Sequence, residues 1–145
     1  MKALVFAMVC VVATAYGDTP KDCPAVVKTA IDKAFQKSTI TTCKREHENG
    51  HDQFEVKLAK ADGAKVEVDV SEDGKILQVE EKIALGDVPS AVMKAFAARY
   101  PKSKAASAER QTPSTGKPSY ELAFTVDGAR KEATFTEDGA FVEEE

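Results

Sequence analysis

Five consecutive residues, His47-Glu48-Asn49-Gly50-His51, spell the H-E-x-x-H pattern of zinc peptidases. On a helix, positions i and i+4 aim two imidazoles to one side, and the glutamate acts on metal-bound water. The surrounding stretch, KREHENGHDQF, suits a helix poorly. Asn-Gly is a strong two-residue hairpin signal and an unfavourable helix centre. With Asn49 and Gly50 as the turn, Glu48 pairs with His51 and His47 pairs with Asp52. Neighbours along a strand face opposite sides of a sheet, so the two imidazoles point apart and one zinc ion cannot take both. The chain contains no other histidine, and a third ligand would have to be a carboxylate. The pattern is therefore expected at an exposed hairpin tip. Because such tips often carry contacts to partners, His47, Glu48, Asn49 and His51 form a candidate partner-binding loop.

Other chemistry-bearing types are not arranged for catalysis. Ser90 and Ser103 lack a nucleophile elbow, and the sequence has no glycine-rich phosphate loop. Cys43 and His47 would share a strand face about 13 Å apart, too far to act as a nucleophile–base pair. No catalytic, metal-ligating or cofactor-binding residue is assigned, and the chain is read as a non-enzyme with no cofactor.

The N-terminus carries targeting information. Met1-Lys2 precedes the apolar run ALVFAMVCVV and the small-residue segment ATAYG, the layout of a secretory signal peptide. The run is too short to span a bilayer, which needs about 20 residues. Cleavage after Ala15 or after Gly17 fits equally. The expected division is 1–17 signal peptide, 18–85 first repeat and 86–145 second repeat. The exported chain, periplasmic or secreted, has no second apolar stretch to hold it in a membrane. Its formal charge is -4, one unit more negative without Lys2, which argues against nucleic acid as a partner.

The repeat emerges from a self-comparison. Pro24 to Ile31 matches Pro89 to Phe96 at an offset of 65 residues, and Phe35 matches Tyr100. The same offset pairs Asp62-Gly63 with Asp127-Gly128 and Asp73-Gly74 with Asp138-Gly139. Phe54-Glu55 matches Tyr120-Glu121 one residue further on, which places an insertion between 97 and 119. Val27, Ala30, Ile31, Ala34 and Phe35 lie on one helical face; Val92, Ala95, Phe96 and Tyr100 repeat it, with Arg99 in place of Ala34. Pro24 and Pro89 suit a first helical turn. Phe54, Val56 and Leu58, then Val66, Val68 and Val70, alternate with polar residues, as do Tyr120, Leu122, Phe124 and Val126, then Ala133 and Phe135. That is the signature of antiparallel strands with one covered face. The fold expected is α+β: two tandem repeats, each one helix packed on a four-stranded antiparallel meander sheet. A unit of roughly 60 residues has a marginal core, so the two should pack together or share a sheet.

Once the signal is removed, Cys23 and Cys43 remain, an even count in an exported chain. About 13 helical residues advance roughly 20 Å, and six strand residues return the same distance. Cys43 thus ends level with Cys23, and a disulfide is expected. The matching positions in the second copy are Val88 and Ala108.

The proline-started helix, the strand opening Phe/Tyr-Glu and the Asp-Gly hairpins resemble the PepSY-like family, in its beta-lactamase-inhibitor-like branch with tandem units. The resemblance rests on Pro89, Val92, Ala95-Phe96, Tyr100-Pro101, Tyr120-Glu121, Asp127-Gly128 and Asp138-Gly139-Ala140. The first copy matches at Pro24, Val27, Ala30-Ile31, Phe54-Glu55-Val56, Asp62-Gly63 and Asp73-Gly74-Lys75. It implies an exported binding module that inhibits or regulates another exported protein, peptidases and beta-lactamases among the targets. In the tandem inhibitors a concave sheet surface grips the target enzyme. The chain departs from that picture in having no tryptophan, a residue that often anchors interfaces. A second reading is a periplasmic sensor or carrier of a small ligand or metal ion.

Overall fold

The computed structural model describes residues 22–48 and 50–145; the expected signal peptide, 1–17, lies outside the described residues. The element order is α1 (Ala25–Ala34), β1 (Thr39–Glu48), β2 (His51–Ala59), β3 (Lys65–Ser71) and β4 (Ile76–Ile83), then α2 (Ser90–Arg99), β5 (Ser107–Pro113), β6 (Ser119–Val126), β7 (Ala129–Thr136) and β8 (Phe141–Glu144). A 3-10 turn, Leu85–Asp87, separates β4 from α2. Among the described residues no helix is long and apolar enough to cross a membrane.

The two helices form for the same reasons. Each follows a proline that needs no amide partner, and each buries a pair four residues apart: Val27 with Ile31, and Val92 with Phe96. Burying side chains of this size contributes about 1.5–3 kcal/mol each. Both helices end with the next residue donating its backbone N–H to the carbonyl four residues earlier, Phe35 to Ile31 and Tyr100 to Phe96. Ala34 is exposed, outside the expected apolar face. That exposure explains how Arg99 replaces it in the second helix.

The expectation of two four-stranded sheets is corrected. All eight strands form one antiparallel sheet in the order β1-β2-β3-β4-β5-β6-β7-β8. The seam is β4 against β5, with Ile83 opposite Ala108 and Glu81 opposite Arg110. Separate sheets would each leave an edge of unpaired N–H and C=O groups at the junction, a template for wrong pairing; joining them satisfies both. Side-chain alternation reports which face a residue takes, not which strand lies beside it.

Both helices cover the same face. Val27 and Ile31 pack with Val56, Leu58, Val66, Val68 and Val70 in one core. Val92 and Phe96 pack with Leu122, Phe124, Ala133 and Phe135 in the other. The β3–β4 and β7–β8 turns tuck under the helix starts. A Cβ added to Gly139 (φ +89°) would lie 2.7 Å from the Ala91 carbonyl oxygen, and one on Gly74 (φ +83°) 2.7 Å from Val26. Only glycine combines that left-handed φ with so close an approach.

Candidate partner-binding face

The β1–β2 hairpin has the register expected from its turn: Glu48 lies opposite His51, and His47 opposite Asp52. Gly50 supplies the positive φ, +80°, while Asn49 and the Glu48 side chain lie outside the described residues. By alternation the two histidines take opposite faces. His47 is on the helix side, its Nδ1 2.8 Å from Asp52 Oδ1. Arg45 donates to the other Asp52 oxygen at 2.9 Å and to Glu72 at 2.5 Å. The His47 hydrogen bond, aided by the Arg45 charge, holds the Asp52 carboxyl below its ordinary value. Among the described residues no group of three or more His, Cys, Asp and Glu side chains is placed to hold a metal ion.

Cys23 and Cys43 are joined in a disulfide with their Cα atoms 5.5 Å apart. Both are buried, as are Val88 and Ala108 at the matching places of the second unit. The pair fastens the start of α1 to β1.

No helix among the described residues lies on the other face of the sheet. Register places there Lys44 and Glu46 of β1, Glu55 and Lys57 of β2, and Glu67 and Asp69 of β3. Glu80 and Lys82 of β4 continue the row, followed by Glu109, Glu121 and Glu132 of β5, β6 and β7. A groove of about 680 Å³ runs across this face between Thr41 and Glu132.

The two units treat their charges differently. In the first, the Lys57 ammonium lies 3.3 Å from Glu55 and 3.0 Å from Glu67. Its hydrogen bond to Glu67 raises the Lys57 pKa above the ordinary lysine value. In the second unit, the Glu121 carboxyl is pushed up to about 7, first by burial and then by Glu132, Glu109, Glu80 and Glu145. Its side-chain hydrogen bond comes from the Gln111 amide at 3.3 Å. Among the described residues no cation forms an ion pair with Glu121. This carboxylate was not singled out in the sequence. The signal was available, because the repeat alignment sets Ala123 against Lys57 and Glu109 against Lys44.

The helices-over-meander architecture, built twice on one sheet, is that of a tandem PepSY-like protein. The family described as putative beta-lactamase-inhibitor-like, PepSY-like, matches residues 16–78 and again 61–143, and the chain belongs to it. No curated protein matches the sequence. Among solved structures the fold resembles a putative periplasmic protein from Bacteroides eggerthii (TM-score 0.70, 16% identity, covering 85% of this chain and 88% of that one). A DUF2874 family protein from Bacteroides uniformis is similar at TM-score 0.69, with 16% identity over 85% of this chain and 88% of that one. A BLIP-like protein from Bacteroides fragilis has a TM-score of 0.61, with 18% identity over 85% of each chain.

Proposed function

We propose that the chain is an exported, non-enzymatic binding module that holds another exported protein on the open face of its sheet and so inhibits or regulates it. The observation that carries this reading is the uncovered face itself. Both helices protect one side, while the other presents a groove of about 680 Å³ across the strands. The strand register fixes where each side chain leaves the backbone, and that preorganisation lowers the ordering cost of association. The signal-like N-terminus supports export, as do the relatives described as periplasmic. The 18–85 and 86–145 repeats then act as two halves of one surface. The candidate loop of His47, Glu48, Asn49 and His51 would add contacts beside this surface, with His51 on its open side.

The test immobilises the mature chain and exposes it to exported proteins from its source cells. One partner is expected at fixed stoichiometry, lost in Glu67→Trp on the open face and kept in Lys94→Trp on the exposed side of α2. Retention that survives Glu67→Trp, or no retention at all, overturns the reading.

A further inference from the structure

The two units differ in what flanks their first strands. β1 and β5 hold the same place after the helix, and residues 43–48 match 108–113 at the 65-residue offset. β5 lies between two strands, β4 and β6. β4 runs antiparallel along the whole of 108–113, from Ile83 opposite Ala108 to Gln78 opposite Pro113. β1 ends the sheet, with β2 its only neighbouring strand among the described residues. From Thr42 to Glu48 it keeps continuous register with β2, so the stretch corresponding to the seam is regular. At the same offset β4 corresponds to residues 11–18, and 11–17 fall in the expected signal peptide. Cleavage after Gly17 leaves the mature chain only Asp18 at the place that β4 fills in the second unit.

The charges say what fits there. Along the seam Lys82 stands opposite Glu109 and Glu80 opposite Gln111. On β1 those places belong to Lys44 and Glu46, which pair with each other at 2.8 Å. A strand of β4 sequence would set Lys82 against Lys44 and Glu80 against Glu46, and like charges directly opposite are unfavourable. The β8 strand of a second copy, placed as β4 is, would set Glu145 against Glu46 and Glu143 against Glu48. The edge thus repels strands of its own chain, a common guard against sheets that run on from copy to copy.

We propose that the β1 edge of the mature chain takes an extended segment of a partner protein as a ninth, antiparallel strand along residues 43–48, with an acidic residue opposite Lys44 and a basic one opposite Glu46. Main-chain hydrogen bonds supply the attachment, and the two charged places supply the choice. This surface is the sheet's edge, separate from the open face proposed above, and neither reading needs the other.

The test supplies such a strand. The end-blocked peptide Ile-Leu-Gln-Val-Lys-Glu-Glu-Ile is the β4 sequence with Glu80 and Lys82 exchanged, and the unexchanged peptide is its control. The exchanged strand is also fused ahead of Asp22 through Ala-Leu-Gly, the residues that join β4 to Asp87, which makes pairing intramolecular. In the fusion, outward amides of residues 43–48 should exchange hydrogen at least about tenfold more slowly than in the mature chain, with β8 amides unchanged. The free exchanged peptide should bind about fivefold or more tightly than the control, and Lys44→Glu with Glu46→Lys should reverse that preference. No added protection in the fusion, or a preference that the double variant fails to reverse, overturns the inference. The protein partner separates the two proposals. A partner lost in Glu67→Trp but held undiminished by the fusion keeps the open face and sinks the edge. A partner indifferent to Glu67→Trp but shut out by the fusion upholds the edge and sinks the open face.

Discussion

Glu81 of β4 accepts hydrogen bonds from Lys60 at 2.5 Å and from Arg110 of β5 at 2.7 Å, so one carboxylate ties the two repeats together across their seam. The Lys60 bond, followed by the Arg110 bond, holds its pKa below the ordinary glutamate value. Glu121, forty residues on in the same sheet, has the opposite environment and the opposite shift. Neutralising it should reveal the difference.

Glu121→Gln is expected to stabilise the protein at pH 8. The folded-state carboxyl titrates near 7 against an ordinary 4.5, so the folded state binds its proton more tightly than the unfolded state. The penalty is complete above pH 7 and fades as pH falls towards 4.5. Discounted for partial solvation, it amounts to about 1–2 kcal/mol. Urea unfolding of both proteins at pH 8 and pH 5 checks this. A gain that is equal at both pH values refutes the assignment.

Replacing Cys23 and Cys43 by Val and Ala, the residues of the second unit, should lower stability by about 3 kcal/mol. The closed loop spans 20 residues of sequence, and the substitutions keep apolar groups in a buried site. The urea midpoint should fall by the same amount on reduction of the parent protein.

Gly139→Ala should destabilise by about 3 kcal/mol, from left-handed strain plus collision with the Ala91 carbonyl. Gly63→Ala shares the positive φ but meets nothing within 4 Å, and should cost about 1 kcal/mol. Equal losses at the two sites would mean that the turn does not press on α2.

His47→Ala should raise the Asp52 titration midpoint towards 3.8, because the His47 hydrogen bond is the largest cause of its depression. A depressed carboxylate stabilises the fold above its unfolded pKa, and that contribution is lost as pH falls through the folded value. Carboxyl NMR reads the midpoint directly. Zinc titration of the parent should perturb His47 and His51 independently, since they lie on opposite faces; concerted saturation of both would contradict the hairpin.

Much of this architecture was legible because its determinants are local. Asn49-Gly50 specified the register that sets Glu48 opposite His51, and the Val27–Ile31 and Val92–Phe96 spacings marked the buried sides of both helices. The disulfide followed from rise per residue. The single sheet was not legible in the same way. Ile76–Ile83 and Ser107–Pro113 read the same whether they are edges or neighbours, because pairing between them is decided by backbone groups that every residue carries. Glu121 was hidden for another reason. A glutamate on an open face looks solvated until its neighbours are known, and those come from three other strands and from Glu145 beyond β8.

The seam between β4 and β5 also fixes a distance. Lys57 and Ala123 lie on β2 and β6, four strands apart, which is about 19 Å at ordinary strand spacing. At one of these places an ammonium stands between two carboxylates; at the other a methyl group does. The duplicated surface is therefore not symmetric, and the strand order sets the spacing at which its two halves differ.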